Sequence, residues 1–207
     1  MIKGVKICGV SDVESLKYII AHHYPPKFIG FITNYKKSIR YVDLKTLEKL
    51  TNLNDGKISF VSVLVSPSDK ILKNIKNLKF DYYQLYDVDP IRTKQIKLSY
   101  KKKIISALTI ENAQDIEKYK SYKDIADIIL FDGKGYEKSI GFDHELLSIV
   151  PNNIIKMIAG NINIDNFPNL KHTDYFIDLS GSLENADGKK DLQKINNFLN
   201  NIKLNEN

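Results

Sequence analysis

Cysteine occurs once in this chain of 207 residues, histidine four times, proline six times and tryptophan not at all. Each scarcity closes off a class of protein. The single cysteine, Cys8, has no partner for an internal disulfide and fits a reducing, cytoplasmic setting. His22 and His23 are adjacent on a predicted helix and diverge, while His144 and His172 stand alone, so no ligand spacing for zinc is present and no cofactor is expected. No apolar run approaches the ~20 residues that a bilayer-spanning helix needs, which argues against a membrane partner. Met1-Ile2-Lys3-Gly4 leads directly into an apolar strand, with neither the h-region nor the cleavage site of a signal peptide. Glycine-rich nucleotide loops are missing too. Gly133-Lys134-Gly135 begins a GxG with no third glycine, and Gly135-Tyr136-Glu137-Lys138-Ser139 lacks the glycine that precedes lysine in a P-loop. No low-complexity linker interrupts the chain, so residues 1–207 are expected to form a single domain.

Charge is moderate, with a net value of +6. The lysines are spread over most predicted helices, and the one dense run, Lys101-Lys102-Lys103, abuts Ile104-Ile105. Nucleic-acid binding would gather such residues on one face with aromatics between them. A diffuse positive field instead suits a small anionic substrate.

What the chain has in quantity is short apolar, β-branched runs. Strands are predicted at Val5–Cys8, Phe28–Ile32, Ile58–Val65, Tyr82–Leu85, Lys103–Ala107, Ile125–Phe131, Ile154–Ile158 and Tyr175–Leu179. Most are apolar on both faces, as parallel strands covered on each side should be. Between and after them lie helical patterns at Val13–His22, Leu44–Leu50, Asp69–Leu78, Pro90–Tyr100, Glu111–Lys120, Asp143–Ile149, Asp165–Asn169 and Lys190–Ile202. Eight such units predict an α/β protein, a (β/α)8 TIM barrel, with an open doubly wound sheet as the alternative. The tail Leu204–Asn207 is expected to fray.

A barrel carries its chemistry at the C-terminal ends of its strands. That rule selects Cys8 after the first strand, Asn34 to Arg40 after the second, Tyr86-Asp87 after the fourth, Asp132 after the sixth, Gly160-Asn161 after the seventh and Asp178 to Glu184 after the eighth. Cys8 precedes a helix start at Ser11 or Asp12, and a helix N-terminus would lower the thiol's pKa toward that of a catalytic thiolate. A buried structural cysteine is the competing reading of that segment.

Taken in order, these segments resemble the phosphoribosylanthranilate isomerase family. Lys6-Ile7-Cys8-Gly9 matches its KICG signature, and Gly30-Phe31-Ile32 with Lys37-Ser38-Ile39-Arg40-Tyr41-Val42 is similar to GF(I/V)F…KSPRYV. Val61–Val65 resembles the third strand and Asp81-Tyr82-Tyr83-Gln84-Leu85 the fourth, which usually ends QLHG. Leu130-Phe131-Asp132 stands for LLD, Phe142-Asp143 for FDW, Ile158-Ala159-Gly160-Asn161-Ile162 for LAGGL, Asp178 to Glu184 for DVSSGVE, and Gly188-Lys189-Lys190-Asp191 for GxKD. Departures are Tyr86-Asp87 in place of His-Gly, Asn161 for the second glycine of AGG, the order Ser180-Gly181-Ser182, Ile39 for proline, and a short Gly133–Gly141 loop without the double glycine of GGTGK.

The resemblance implies an Amadori rearrangement in tryptophan biosynthesis: N-(5-phosphoribosyl)anthranilate opens to a Schiff base, loses its C2′ proton and becomes a 1-deoxyribulose 5-phosphate. It implies Cys8 as general base and Asp132 as general acid, roles that suit a tuned thiol and a proton-holding carboxyl. Arg40 is implied as partner of the anthranilate carboxylate, which a guanidinium fork matches; a solvated surface arginine is the alternative. Asp178 either stabilises the ribose or Schiff-base end or caps the following turn. Gly160, Asn161, Ser180, Gly181 and Ser182 are expected to hold the phosphate through backbone amides and hydroxyls. The assembly is expected to be a monomer or homodimer. Two further readings stay open. One is another phosphate-binding barrel enzyme of tryptophan or histidine biosynthesis; its synthase form wants strand lysines and an N-terminal extension. The other is a degenerate barrel that binds without turnover.

Overall fold

The computed structural model describes residues 2–135, 141–170 and 173–203. The predicted Tyr136-to-Ile140 part of the sixth loop, His172 and the tail from Leu204 lie outside the described residues.

Eight parallel strands close into a barrel in chain order. They are β1 (Gly4–Cys8), β2 (Phe28–Ile32), β3 (Ser59–Val65), β4 (Tyr82–Tyr86), β5 (Lys103–Ile110), β6 (Ile128–Gly133), β7 (Lys156–Ile158) and β8 (Phe176–Leu179). β1 pairs with both β2 and β8, which removes any sheet edge and rules out the open-sheet alternative. The first four connections carry α1 (Val13–Ala21), α2 (Leu44–Thr51), α3 (Asp69–Ile75) and α4 (Pro90–Tyr100). Each begins where a short polar side chain accepts a backbone N–H of the first turn: Asp12 from Ser15, Asp43 from Thr46, Ser68 from Ile71 and Asp89 from Arg92, the last with Pro90 at the first helical position. Asp12, rather than Ser11, is therefore the cap of the first helix.

The helical layer thins after β5. The predicted Glu111–Lys120 helix is reduced to α5 (Ala113–Ile116) followed by a 3₁₀ stretch, Glu117–Ser121. Predicted helices at Asp143–Ile149 and Asp165–Asn169 are 3₁₀ turns at His144–Ile149 and Phe167–Leu170. These segments are short and rich in Asx residues whose side chains take the amides a helix would need. Asn163 Oδ1 accepts from the backbones of Asp165 and Asn166, and Asn166 Oδ1 from that of Asn163. The chain closes on α6 (Leu192–Lys203).

Alternating strand residues face two different cores. Ile7, Ile29, Phe31, Phe60, Leu64, Ile104 and Ile129 pack outward under the helices. Inside the barrel, Phe28 packs edge-on against Tyr82 and Phe176, and above them Val61, Ile105, Leu130 and Met157 fill the lumen. Cys8, Val63, Tyr86, Ala107 and Ala159 top this inner core. Small residues at the top leave the barrel open where chemistry is expected.

Candidate active site

A cavity of about 860 Å³ opens at the C-terminal ends of the strands. Every residue to which the resemblance gives a catalytic or binding role lines it: Cys8, Arg40, Asp132, Gly160, Asn161, Asp178, Ser180, Gly181 and Ser182; the strand-end candidates Asn34, Asp87 and Glu184 do not. Residues spread over 175 positions of sequence meet because barrel closure brings all strand ends to one rim.

Cys8 ends β1 and is buried, yet its side chain forms part of the cavity wall. Directly below it on the same face, Lys6 is fully buried in the lumen. Its ammonium donates to Asp178 Oδ2 at 2.7 Å, and these two residues are register partners across the β1–β8 seam. A lysine can sit there because its charge is met at once by a buried carboxylate. Burial works against the ammonium, but the Asp178 carboxylate and the neighbouring Cys8 outweigh it, and the Lys6 pKa is raised. Gly30 of β2 makes the room. A Cβ on it would lie 3.0 Å from both Cys8 Sγ and Lys6 Nζ, so any side chain would wedge between thiol and ammonium.

The thiol's pKa contrasts with the sequence expectation. Burial pushes Cys8 up, Lys6 pulls it down and Asp178 pushes it up again, with a raised value as the outcome. The downward pull therefore comes from a buried lysine, and it is outweighed by the loss of water. Asp178 is not a turn cap: Lys6 holds one oxygen, and the other, Oδ1, is buried with no hydrogen-bond partner among the described residues.

Asp132 lies on β6, three strands from β1 around the closed barrel. β5 runs three residues beyond its predicted end, and Thr109 pairs in register with Asp132, which fixes the acid's backbone within the sheet. Tyr86 at the end of β4 donates its hydroxyl to Asp132 Oδ2 at 2.8 Å.

Arg40 is buried, which excludes the solvated-surface reading. Its stem lies over Gly9, where a Cβ would come within 2.6 Å of Arg40 Cδ. Its guanidinium grips Glu184 with two bonds, Nε to Oε1 at 2.6 Å and an Nη to Oε2 at 2.9 Å. Lys190, also buried, donates to Glu184 Oε1 at 2.7 Å and to the Ser180 carbonyl at 3.1 Å. Burial alone would raise the Glu184 pKa, but the two cations bring it below the ordinary value. Arg40 and Lys190 thus share the Glu184 carboxylate, and Arg40 lines the cavity wall. Burial depresses the Lys190 pKa, and Arg40 adds to that against the pull of Glu184.

On the opposite side, β7 runs into Gly160 at φ 100° and Asn161 at φ 53°. Asparagine is one of the few side chains that accept the left-handed conformation, so Asn161 can hold this turn without a glycine. Ser182 brings a hydroxyl that is buried and unpartnered among the described residues.

Sequence reasoning quoted Lys6 and Lys190 only as letters of motifs; it placed Glu184 at the end of the eighth strand and gave it no specific role. Lys6 carries a readable signal, a lysine in the middle of an otherwise apolar strand. Lys190 carries none, and the strand-end position of Glu184 does not reveal its partner Arg40, which comes from the β2 loop. No cluster of metal-ligating side chains occurs among the described residues.

The comparisons agree with this geometry. A family profile described as N-(5'-phosphoribosyl)anthranilate isomerase matches residues 5–201. The N-(5'-phosphoribosyl)anthranilate isomerase of Rhizobium rhizogenes is 32% identical over 205 residues, covering 94% of this chain and 91% of that protein. The Brucella abortus protein of the same name is 32% identical over 212 residues, covering 96% and 93%. The Thermotoga maritima phosphoribosyl anthranilate isomerase superposes with a TM-score of 0.86 at 24% identity, covering 98% of this chain and 99% of that one. A phosphoribosyl anthranilate isomerase crystallised with reduced 1-(o-carboxyphenylamino)-1-deoxyribulose 5-phosphate gives 0.83 at 24%, with the same coverage. A continuous match over the whole barrel, with the motif residues gathered at one mouth, means that this chain belongs to the N-(5'-phosphoribosyl)anthranilate isomerase family.

Proposed function

We propose that the cavity isomerises N-(5'-phosphoribosyl)anthranilate to 1-(2-carboxyphenylamino)-1-deoxyribulose 5-phosphate by acid–base catalysis, in the tryptophan branch of a cytoplasmic metabolism. The observation that carries this reading is the shared cavity of Cys8 and Asp132, which come from separate strands and border one space large enough for the substrate. Asp132 gives its proton to the ribose ring oxygen, and the C1′–oxygen bond breaks as the nitrogen lone pair forms the Schiff base. Cys8 then removes the C2′ proton, and the electron pair moves to the iminium nitrogen to give the enolamine, which tautomerises to the ketone.

Each group has support in its surroundings. Lys6, one residue pair below Cys8, stabilises the thiolate electrostatically inside the barrel, where such an interaction is strong. The orphan Oδ1 of Asp178 offers an acceptor for a ribose hydroxyl or for the positive Schiff base. The planar Arg40 guanidinium fits the anthranilate carboxylate, and Glu184 presents it in a fixed orientation. The phosphate fits between Gly160–Asn161 and Gly181–Ser182, with the unpaired Ser182 hydroxyl as one donor. In the relatives' company, a monomer or a homodimer is the assembly to expect.

The test is rescue of a tryptophan auxotroph that lacks only this isomerase, together with turnover by the purified protein. Growth and product formation are expected. A well-folded protein that binds the reduced product analogue and never turns over the substrate would replace this reading with that of a non-catalytic barrel.

A further inference from the structure

The fourth strand ends in Tyr86, one of the departures from the family motif noted in the sequence, and this residue joins a hydrogen-bond chain inside the barrel. Gln84, fully buried two residues earlier on the same face of β4, donates its amide to the Tyr86 oxygen at 3.2 Å. Tyr86 in turn donates to Asp132 Oδ2 at 2.8 Å. With its oxygen already accepting from Gln84, the phenol's single proton is directed at the carboxylate.

From this chain, and resting on the assignment of Asp132 as general acid, we propose that Tyr86 is a positioning residue that holds the acid and stabilises the negative charge left on it when its proton moves to the substrate. The proton that transfers is that of Asp132, and it ends on the ring oxygen. Tyr86 keeps its own proton throughout, and only the strength of its O–H to carboxylate bond changes. A donor aimed at charge that develops during the step is worth more in the transition state than in the ground state. Burial, followed by the facing Asp132, Asp178 and Cys8, puts the ionisation of the phenol far outside the working range, as a donor that must not lose its proton requires. Among the described residues, the titratable groups that act on it are Asp132 from β6, Asp178 from β8 and Cys8 from β1. Gln84 has a part in this. Its Oε1 is buried without a partner among the described residues, so its amide serves the phenol on one side only.

The alternative is that Tyr86 merely fills the lumen beside Val63 and Ala107. The two are separated by measuring kcat, KM and their pH profiles for the wild type, Tyr86→Phe, Tyr86→His, Gln84→Met and Asp132→Asn, with melting temperatures alongside. Tyr86→Phe keeps the ring and is expected to lower kcat roughly 10- to 100-fold with KM changed by no more than about twofold. Its basic limb of kcat is expected to move to higher pH, because loss of a donor disfavours the carboxylate form of the acid. Tyr86→His retains an N–H donor and is expected to recover part of the rate. Gln84→Met is expected to shift both quantities in the same direction by less. A Tyr86→Phe enzyme with wild-type kcat and an unmoved pH limb, whatever its melting temperature, overturns the proposal while an inactive Asp132→Asn leaves the acid assignment standing. An active Asp132→Asn overturns both, since Tyr86 would then have no acid to serve.

Discussion

Two buried ionic clusters border the same cavity, and they are built in different ways. On the floor, Lys6 and Asp178 are register partners on neighbouring strands, so closing the barrel sets their 2.7 Å contact without help from any loop. On the wall, Arg40 from the β2 loop meets Glu184 and Lys190 from the segment after β8, and the conformations of both connections must agree before the contacts form. The floor pair is neutral and lies against the thiol; on the wall, two cations share the Glu184 carboxylate. A rigid, neutral pair suits the tuning of a proton-transfer group, whose geometry must hold to fractions of an ångström. A loop-built arginine site suits capture of a planar anion.

Four experiments can break that division or sharpen it. The largest effect is expected at the floor itself. Cys8→Ser replaces the thiol with a far weaker base, and kcat should fall by roughly 10²- to 10⁴-fold while the melting temperature stays near that of the wild type. Wild-type turnover in the purified variant would remove chemistry from this cluster.

At the wall, Arg40→Ala leaves Glu184 still paired with Lys190, so the fold should survive. KM should rise by roughly 10- to 100-fold, with a smaller change in kcat, because a carboxylate contact made equally in ground and transition states is lost. A collapse of kcat at constant KM would mean that the wall takes part in the chemical step.

Gly30→Ala tests how tightly the floor is built. The added methyl falls 3.0 Å from both Cys8 Sγ and Lys6 Nζ and should cost about 1–3 kcal/mol in a denaturant titration, as overpacking does. It should also lower kcat without touching the wall's KM. Unchanged stability and rate would show that the thiol and ammonium have slack that the packing does not suggest.

The smallest expected effect is the pH dependence of stability at the wall. Glu184 has a folded pKa below its ordinary value, so its ion pairs stabilise the protein above the unfolded carboxylate pKa of about 4.3 and lose that contribution as pH falls through the folded value. The stability gap between wild type and Glu184→Gln should therefore be widest near neutral pH and shrink in acid. A gap that stays constant down to strong acid would assign Glu184's contribution to packing rather than charge.

How much of this was readable in advance differs from element to element. β2 and α4 match their predicted bounds, Phe28–Ile32 and Pro90–Tyr100, because a short apolar run and an Asp-Pro helix start are purely local signals. β6 and β7 begin later than expected. Ile125 and Ala126 turn back to the Tyr122 carbonyl, and Ile154 to that of Pro151, so apolar residues that look like strand close turns instead. The helices after β5 to β7 shrink to 3₁₀ turns for a similar reason, as side chains compete for the amides.

The sequence alone determined the eight apolar runs, the caps that start the first four helices, and the placing of Cys8, Arg40, Asp132 and the two glycine-containing loops at strand ends. Those features follow from local propensity and from the rule that all strand ends of a barrel share one mouth. Tertiary structure alone decided that Lys6 lies beneath Cys8, that Asp178 answers Lys6 rather than capping a turn, that Glu184 and Lys190 brace Arg40, and that Tyr86 reaches Asp132 from two strands away. Most of these partners are distant in sequence: Lys6 from Asp178, Arg40 from Glu184, and Tyr86 from Asp132. Each depends on the register and curvature of the closed sheet, and the sign of the Cys8 shift depends in turn on how much water that closure removes.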